Sequence, residues 1–386
     1  MERYDFLIIN RSFWPIYPVI GEGLLRLAEK LASTKKVGVI LQDHVGIKKK
    51  LKSENRGVGV NFFPSWATSN SSSHILIRII DSIFFMFWVI GCLLFTRPRN
   101  IYVSTDPPVI IPFVIAIYSK VFKAKFIYHI QDIHPEASNA VIKFSSFIFY
   151  LLKIIDSFTL RHANLLLTLT NEMKAEIINR SNTKKKILII DNPSISFKQS
   201  LLSIEKIRGF SFTGNLGRLQ RIPLLLDAIE DYSKKGGRLN FSFAGSGVYS
   251  NLVSKFSKLN SLISYKGFIS PENSALLSSK YEWALLPIED KITNYAFPSK
   301  TSSYVFSGAK ILAICGEHTS VAKWVKYNNL GVVIYPKVSK IVEFFFKIEN
   351  GHVDSLIMDV DRKDLKKRLH IDVFVQNLKS VVLSNL

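Results

Sequence analysis

The chain is 386 residues long, with 51 Lys and Arg against 30 Asp and Glu (formal net charge +21), and is 47% hydrophobic and 21% charged. This composition excludes a disordered chain and leaves room for two domains. Cys92 and Cys315, the only two cysteines, give neither a disulfide framework nor metal-ligand spacing, which suits a reducing cytoplasm, while the surplus of positive charge favours nucleic acid, anionic lipid or phosphate-bearing substrates, or is simply solvated.

In chain order, the opening "MERYDFLIIN" has charges on both sides of a short apolar run and reads as a first strand rather than a signal peptide. "DFLIIN", "KVGVILQ", "NIYVST", "KFIYHIQD", "NLLLTLT" and "KILIIDN" are short apolar strands, with helical patterns at 20–33, 75–95, 109–122, 137–162 and 171–180 between them. Continuously apolar strands alternating with helices predict a parallel sheet covered on both faces, the doubly wound α/β arrangement. The polar stretch "NPSISFKQSLLSIEKIRG" at 192–209 is the seam, and the pattern then restarts. "GFSFTGN", "RLNFSFAGSG", "SYKGFI", "WALLPI", "KILAIC" and "GVVIY" are strands, with helices near 221–235, 248–259, 271–280, 299–308 and 319–328. Two Rossmann-like domains are therefore expected, at 1–195 and 208–364, followed by a C-terminal helix at 365–386 that packs on either one.

The helical segment within 75–95 stands apart. From Ile83 to Phe95 it holds 13 uncharged, mostly apolar residues, and Arg97 and Arg99 follow. A spanning helix needs about 20 such residues. A buried core helix, an interfacial helix resting in a membrane and a true span all remain open.

In a doubly wound sheet, ligands bind beyond the C-terminal ends of the strands. After the first strand, Gly21 and Gly23 flank Glu22 at the start of a helix, as a ligand approach or a plain strand-to-helix turn. "KFIYHIQDIHPEA" brings His129, Asp132, His134 and Glu136 to one strand end. Asp132 or Glu136 is a candidate proton acceptor, and Asp132 is alternatively a helix cap. In the second half, Gly214, Asn215, Gly217 and Arg218, with Arg221 behind them, form a glycine-bearing loop that feeds a helix, and Gly245 and Gly247 form another. The spacing is not that of a P-loop. "FPSKTSSY" opens a further helix at the same edge, with Pro298 at the first helical position, then Ser299 and Lys300. A lysine in the first turn opposes the helix dipole, so either it bends away into water or it shares an anionic ligand with the helix end. "DVD" at Asp359–Asp361 reads as a helix start rather than a metal site, and no metal site is expected.

Together, "VSTDPPVIIPFVIAIYSKVFKAKFIYHIQDIHPEA", "TGNLGRLQ", "FAGSGVY" and "ALLPIEDKITNYAFPSKTSSYVFSGAKIL" resemble the GT-B nucleotide-sugar glycosyltransferases, and more narrowly the P-S-K type of glycosyltransferase family 4 that builds O-antigen and capsule. The resemblance covers nearly the whole chain. It implies an acceptor-binding domain and a donor-binding domain facing each other across a cleft, and a retaining sugar transfer without metal or cofactor. The donor would be a nucleotide diphosphate-sugar. Lys300, Ser299 and the glycine loops would stabilise the leaving diphosphate, Lys266 and Phe268 would meet the nucleobase, Asp132 the acceptor, and Gly21, Glu22 and Gly23 the sugar and acceptor. The family's ribose-holding glutamate falls on Ser303 and a second one on Tyr295. Its Lys-Gly pair appears as Gln220-Arg221, which shifts phosphate charge onto Arg218, Arg221 and Lys300. The resemblance further implies an undecaprenyl-diphosphate-linked saccharide acceptor and a cytoplasmic protein held peripherally on the anionic inner face of the cell membrane, with no nucleic acid partner. A nucleotide-sugar epimerase of the same architecture, a basic nucleic-acid- or membrane-binding protein and an inactive scaffold are the rival readings.

Overall fold

The computed structural model describes residues 3–68, 75–194, 205–352 and 362–385. Asp359–Asp361, most of the seam and the serine-rich 69–74 stretch lie outside the described residues. The chain divides into two units, Met1–Pro193 with Ile371–Leu386, and Ser194–His370.

The first unit is built on β1 (Phe6–Ile9), β2 (Val37–Asp43), β3 (Val60–Trp66), β4 (Asn100–Ser104), β5 (Lys125–His129), β6 (Leu165–Thr168) and β7 (Ile187–Ile189). They form one parallel sheet in the order β3-β2-β1-β4-β5-β6-β7. Strands such as "FLII" are buried along their whole length, because helices cover both faces. Two elements were not expected from the sequence, the short helix Ile47–Ser53 and β3. β3, "VNFFPSW", is a half-exposed edge strand whose Pro64 and polar residues break the apolar run.

The single helix expected over 137–162 is two helices, Glu136–Val141 and Ser146–His162. The chain extends at Ile142, and Ser145 caps the second helix by accepting from the Ile148 N–H. The C-terminal helix Ile371–Asn385 packs against the Ile20–Ala32 helix. Its Phe374 is 2% exposed and fills the space that a side chain on Gly23 would take, and burying such a ring stabilises by about 1.5–3 kcal/mol.

The second unit holds β8 (Ile207–Thr213), β9 (Asn240–Ala244), β10 (Ile263–Tyr265), β11 (Tyr281–Pro287), β12 (Lys310–Ile314) and β13 (Gly331–Ile334). The sheet is again parallel, in the order β10-β9-β8-β11-β12-β13. Stacked Phe210 and Phe241, with Phe345 from the helix Val338–Glu349, anchor its core. That helix was absent from the sequence reading.

In each sheet the strand order reverses once, between β1 and β4 in the first unit and between β8 and β11 in the second. Loops leaving such a pair part to opposite sides and open a crevice at the strand ends. Both clusters described below lie at these two places.

Candidate functional site

In the second unit, β8 runs into Gly214 and β9 into Gly245. Gly214 has φ +120° and Gly245 φ +134°, a region open chiefly to glycine. A Cβ on Gly245 would stand 1.8 Å from the Gly214 carbonyl oxygen. The two turns are bonded edge to edge: Gly214 N–H donates to Ala244 O (3.0 Å), Leu216 N–H to Ser246 O (2.9 Å) and Tyr249 N–H to Leu216 O (3.0 Å). A Cβ on Gly247 would meet Leu216 O at 2.5 Å. The turn after β10 joins the same rim, with Gly245 N–H donating to Gly267 O at 2.8 Å. Lys266 is exposed there, and the Phe268 ring is 80% exposed. Gly214 and Asn215 are also exposed.

Across the switch point, the loop after β11 leads into the helix Lys300–Ser307. Pro298 is not at the first helical position. The Thr301 N–H and Oγ1 both bond to Pro298 O (3.2 and 2.7 Å), so the chain turns before the helix and Ser299 takes the N-cap, without a side-chain capping bond. Ser303 lies half-buried in the same helix, and Tyr295 closes the short 3₁₀ helix Asp290–Asn294.

Lys300 does not bend into water. Its Nζ is shielded from solvent, has no hydrogen-bond partner, and sits 3.9 Å from the centroid of the Phe212 ring on β8. Its Cδ lies 3.9 Å from where a Gly214 Cβ would be. Burial lowers its pKa to about 7. A cation–π contact contributes about 0.5–2 kcal/mol, far less than the hydration an ammonium loses on burial. The uncapped helix end adds positive potential at the same place. This arrangement calls for an anion.

The two arginines expected to share phosphate charge separate. Arg218 is exposed in a 3₁₀ turn after Gly217, whose N–H donates to Gln220 Oε1 at 3.1 Å. Arg221 is committed internally: it donates to Ile288 O (2.7 Å) and Asp290 Oδ1 (2.9 Å) and pairs with Glu289 (3.2 Å). It is a strut that ties the loop after β8 to the loop after β11, the two loops that frame Lys300.

In the first unit, the ends of β1, β4 and β5 meet. Asp106 accepts from Arg11 Nε (3.1 Å) and Ser12 N–H (2.7 Å), and Asn10 Oδ1 accepts from Ser104 Oγ. Thr105 Oγ1 accepts from the N–H groups of Gln131 (3.3 Å) and Asp132 (3.4 Å). Burial, and secondarily the charge of Asp106, raise the Asp132 carboxyl to about 6.

The other groups singled out in this unit are held within it. His129 is buried inside β5, its Nδ1 2.5 Å from Tyr102 Oη, and burial lowers it to about 4. His134 is likewise lowered to about 4, by burial and then by Arg180, and its Nδ1 lies 2.7 Å from Ser138 Oγ. Glu136 is 2.6 Å from Arg180, which also binds Asp156 and the His134 carbonyl, so it belongs to a buried ion network. Glu22 pairs with Arg26 (2.6 Å) and Arg56 (3.3 Å). A Cβ on Gly21 would stand 2.5 Å from Trp14 N, so this glycine admits the Phe13–Trp14 segment, as Gly23 admits Phe374. The Arg180 network, the Arg11–Asp106 pair and the Arg221 strut carry no local signature in the sequence. Among the described residues no group of three or more His, Cys, Asp or Glu could hold a metal ion.

No protein-family model matches the chain. Over 252 residues the chain is 22% identical to the probable glycosyltransferase WbjE of Pseudomonas aeruginosa, a match covering 61% of this chain and 62% of that relative, less than two thirds of its length. It superposes on the Anabaena protein HepE in complex with UDP with a TM-score of 0.69, at 14% identity, over 99% of this chain and 100% of that one. The lipopolysaccharide outer core galactosyltransferase WaaB superposes with a TM-score of 0.64, at 15% identity, over 99% and 100%. The fold is GT-B.

In this GT-B chain the Arg221 strut has a measurable consequence. Arg221→Ala takes the guanidinium from the Ile288 carbonyl and from Asp290, which keeps the Gly316 N–H (2.9 Å), and is expected to destabilise the second unit by about 1–3 kcal/mol, read from urea unfolding. Arg221→Lys should not restore it, because an ammonium cannot reproduce the guanidinium fork.

Proposed function

We propose that the chain is a glycosyltransferase that moves a sugar from a nucleotide diphosphate-sugar to a saccharide acceptor in surface polysaccharide synthesis. The observation that carries this reading is the Lys300 ammonium, shielded from water and unpartnered, beside paired glycine turns at the switch point of the second sheet. A diphosphate bound there restores the lost solvation of the ammonium and neutralises the helix end. In the reaction the anomeric carbon–oxygen bond to the diphosphate breaks and a bond to the acceptor oxygen forms. The negative charge grows on the leaving diphosphate, where Lys300 and Ser299 would stabilise it; Gly214, Asn215, Gly217, Gly245 and Gly247, whose glycine N–H groups are already donated within the turns, would let it approach the loops closely. The exposed Phe268 ring beside Lys266 suits a stacked base, Ser303 is assigned to the ribose side, and exposed Arg218 adds charge.

The likeness to a protein solved with UDP supports a uridine diphosphate donor. Retention of anomeric configuration, independence of metal and a lipid-linked saccharide acceptor at the cytoplasmic face of the membrane are the finer parts of the proposal and rest on the motif resemblance. In a retaining transfer the acceptor hydroxyl attacks on the face the diphosphate leaves, and the departing phosphate oxygen takes its proton. Asp132 is assigned to hold the acceptor hydroxyl.

The test is a thermal-shift screen with UDP, GDP, ADP and dTDP. UDP is expected to raise the melting point by mass action, and Phe268→Ser to weaken that binding by about 2–10-fold, the loss of one aromatic stack. If none of the four nucleotides shifts the melting point, the reading is wrong. Incubation with a UDP-[¹⁴C]sugar and membrane lipids separates the rival: transfer moves label into the organic phase with release of UDP, whereas an epimerase leaves label on the nucleotide.

A further inference from the structure

The helix Lys300–Ser307 carries the ammonium on which the donor reading rests, yet it is eight residues long, about 12 Å. So short a helix keeps its place through its neighbours rather than by its own stability. Tyr304, one turn after Lys300, pins its middle. The Tyr304 Oη donates to Leu285 O on β11 (3.2 Å) and accepts from the Thr213 N–H on β8 (3.4 Å), and the ring is fully buried. The helix is thereby fastened to both strands of the switch point.

The carbonyl end is held by a cation from elsewhere in the unit. The last turn, "YVFS", has no basic residue, and the chain leaves through Gly308 at φ +70°. Lys206, just before β8, supplies the positive charge that a helix C-terminus favours. Its Nζ donates to Ser307 O (3.0 Å), to Ser279 O in the last turn of the helix Pro271–Lys280 (3.1 Å) and, longest, to Tyr281 O at the start of β11 (3.5 Å). Three carbonyl acceptors match the three N–H donors of an ammonium. Burial, then the charge of Arg362, lowers Lys206 to about 8; Glu282 opposes the fall and Lys366 adds to it. Arg362 itself donates to Ala309 O, two residues past the helix, at 3.0 Å. Pinned at Tyr304 and clamped at Ser307, the helix passes any shift of its clamped end to Lys300 and its 3.9 Å contact with Phe212. A misplacement of about 1 Å costs up to about 100-fold in rate.

We infer that Lys206 is a positioning residue for sugar transfer: by clamping the carbonyl end of the helix Lys300–Ser307 it holds Lys300 in the diphosphate site. This deepens the donor reading and rests on it. The test compares Lys206→Met and Lys206→Arg with wild type, each scaled to its folded fraction. Kinetics are run at pH 7, where the Lys206 ammonium is mostly charged, with the UDP-sugar that labels membrane lipids. Lys206→Met should lower kcat by about tenfold or more and leave KM within about threefold, because the donor still meets the turns and a charged but misplaced Lys300. A Lys300 released from Phe212 returns toward its ordinary 10.5 and is already protonated at pH 8. Titration calorimetry of Lys206→Met at pH 8 should therefore show UDP binding without proton uptake. Lys206→Arg, which offers a cation and donors to the same carbonyls, should keep kcat within about threefold and keep the uptake. Lys206→Gln takes the place of Lys206→Met, with the same expectation, if that variant does not fold. A Lys206→Met protein that melts lower but keeps wild-type kcat and proton uptake overturns the inference and leaves the donor reading standing. So does a Lys206→Arg protein that loses as much as Lys206→Met. A wild type that does not bind UDP overturns the donor reading, and this inference with it.

Discussion

Lys300→Ala is expected to lower kcat/KM for transfer from the nucleotide-sugar by about 10²–10³-fold, or about 3–4 kcal/mol, the range for removing one preorganised charge stabiliser. The ammonium is held against Phe212 with no acceptor of its own, so its hydrogen-bonding capacity is uncommitted when the diphosphate arrives. The same feature makes the opposite prediction for stability. Replacing a buried, unpaired charge by an apolar chain of similar length is neutral or stabilising, so Lys300→Met should unfold at the same urea concentration as the unliganded wild type, or a higher one. It should also lose most of the melting-point rise on adding UDP. A lysine that merely solvated itself at the surface would show neither effect, and a lysine essential to the core would destabilise on replacement.

The pH profile of kcat/KM should be bell-shaped, rising through about pH 6 and falling above about pH 7, because Asp132 titrates near 6 and Lys300 near 7 in the unliganded protein. Asp132 is pushed up by burial and by Asp106. It becomes an anion able to hold the acceptor hydroxyl, by accepting its hydrogen bond, only above that value. Lys300 is lowered from its ordinary 10.5, so the unfolded chain binds more protons than the folded one between about pH 7 and 10.5. This group's contribution to the stability of the unliganded protein therefore rises with pH across that window. Binding runs the other way. A diphosphate favours the protonated ammonium, so above about pH 7 the site takes up a proton on binding, and UDP affinity falls by up to about tenfold per pH unit. Lys300→Met should flatten the alkaline fall in UDP affinity, and Asp132→Asn should remove the acidic limb of the rate profile without changing UDP affinity. Isothermal titration of UDP in two buffers of different ionisation enthalpy measures the proton uptake directly. No uptake at pH 8 would dissociate Lys300 from the diphosphate.

The fold was legible because its dominant signal is local. Parallel strands covered on both faces must be apolar along their length, so "FLII", "VGVILQD" and "KILAI" declare themselves whatever packs on them. Glycine turns at strand ends are equally local, since the backbone there must adopt φ values that other residues resist, as at Gly214 and Gly245. β3 escaped because an edge strand is only half covered and tolerates Pro64. The break at Ile142 escaped because no proline or glycine marks it anywhere in 136–162.

From sequence alone came the two parallel sheets, the turns that end their strands and the presence of Lys300 among them. Tertiary structure alone decided that Lys300 is buried against Phe212, that Arg221 is a strut, that Glu22 and Glu136 are committed to arginines, and that Gly23 makes room for Phe374. It also decided that the apolar helix Ile75–Thr96 has one face in the core and the other in the open. Periodicity records that a residue belongs to an element. Which charge loses its water, and which opposite charge it finds, depends on partners far away in the chain, and no local pattern encodes them.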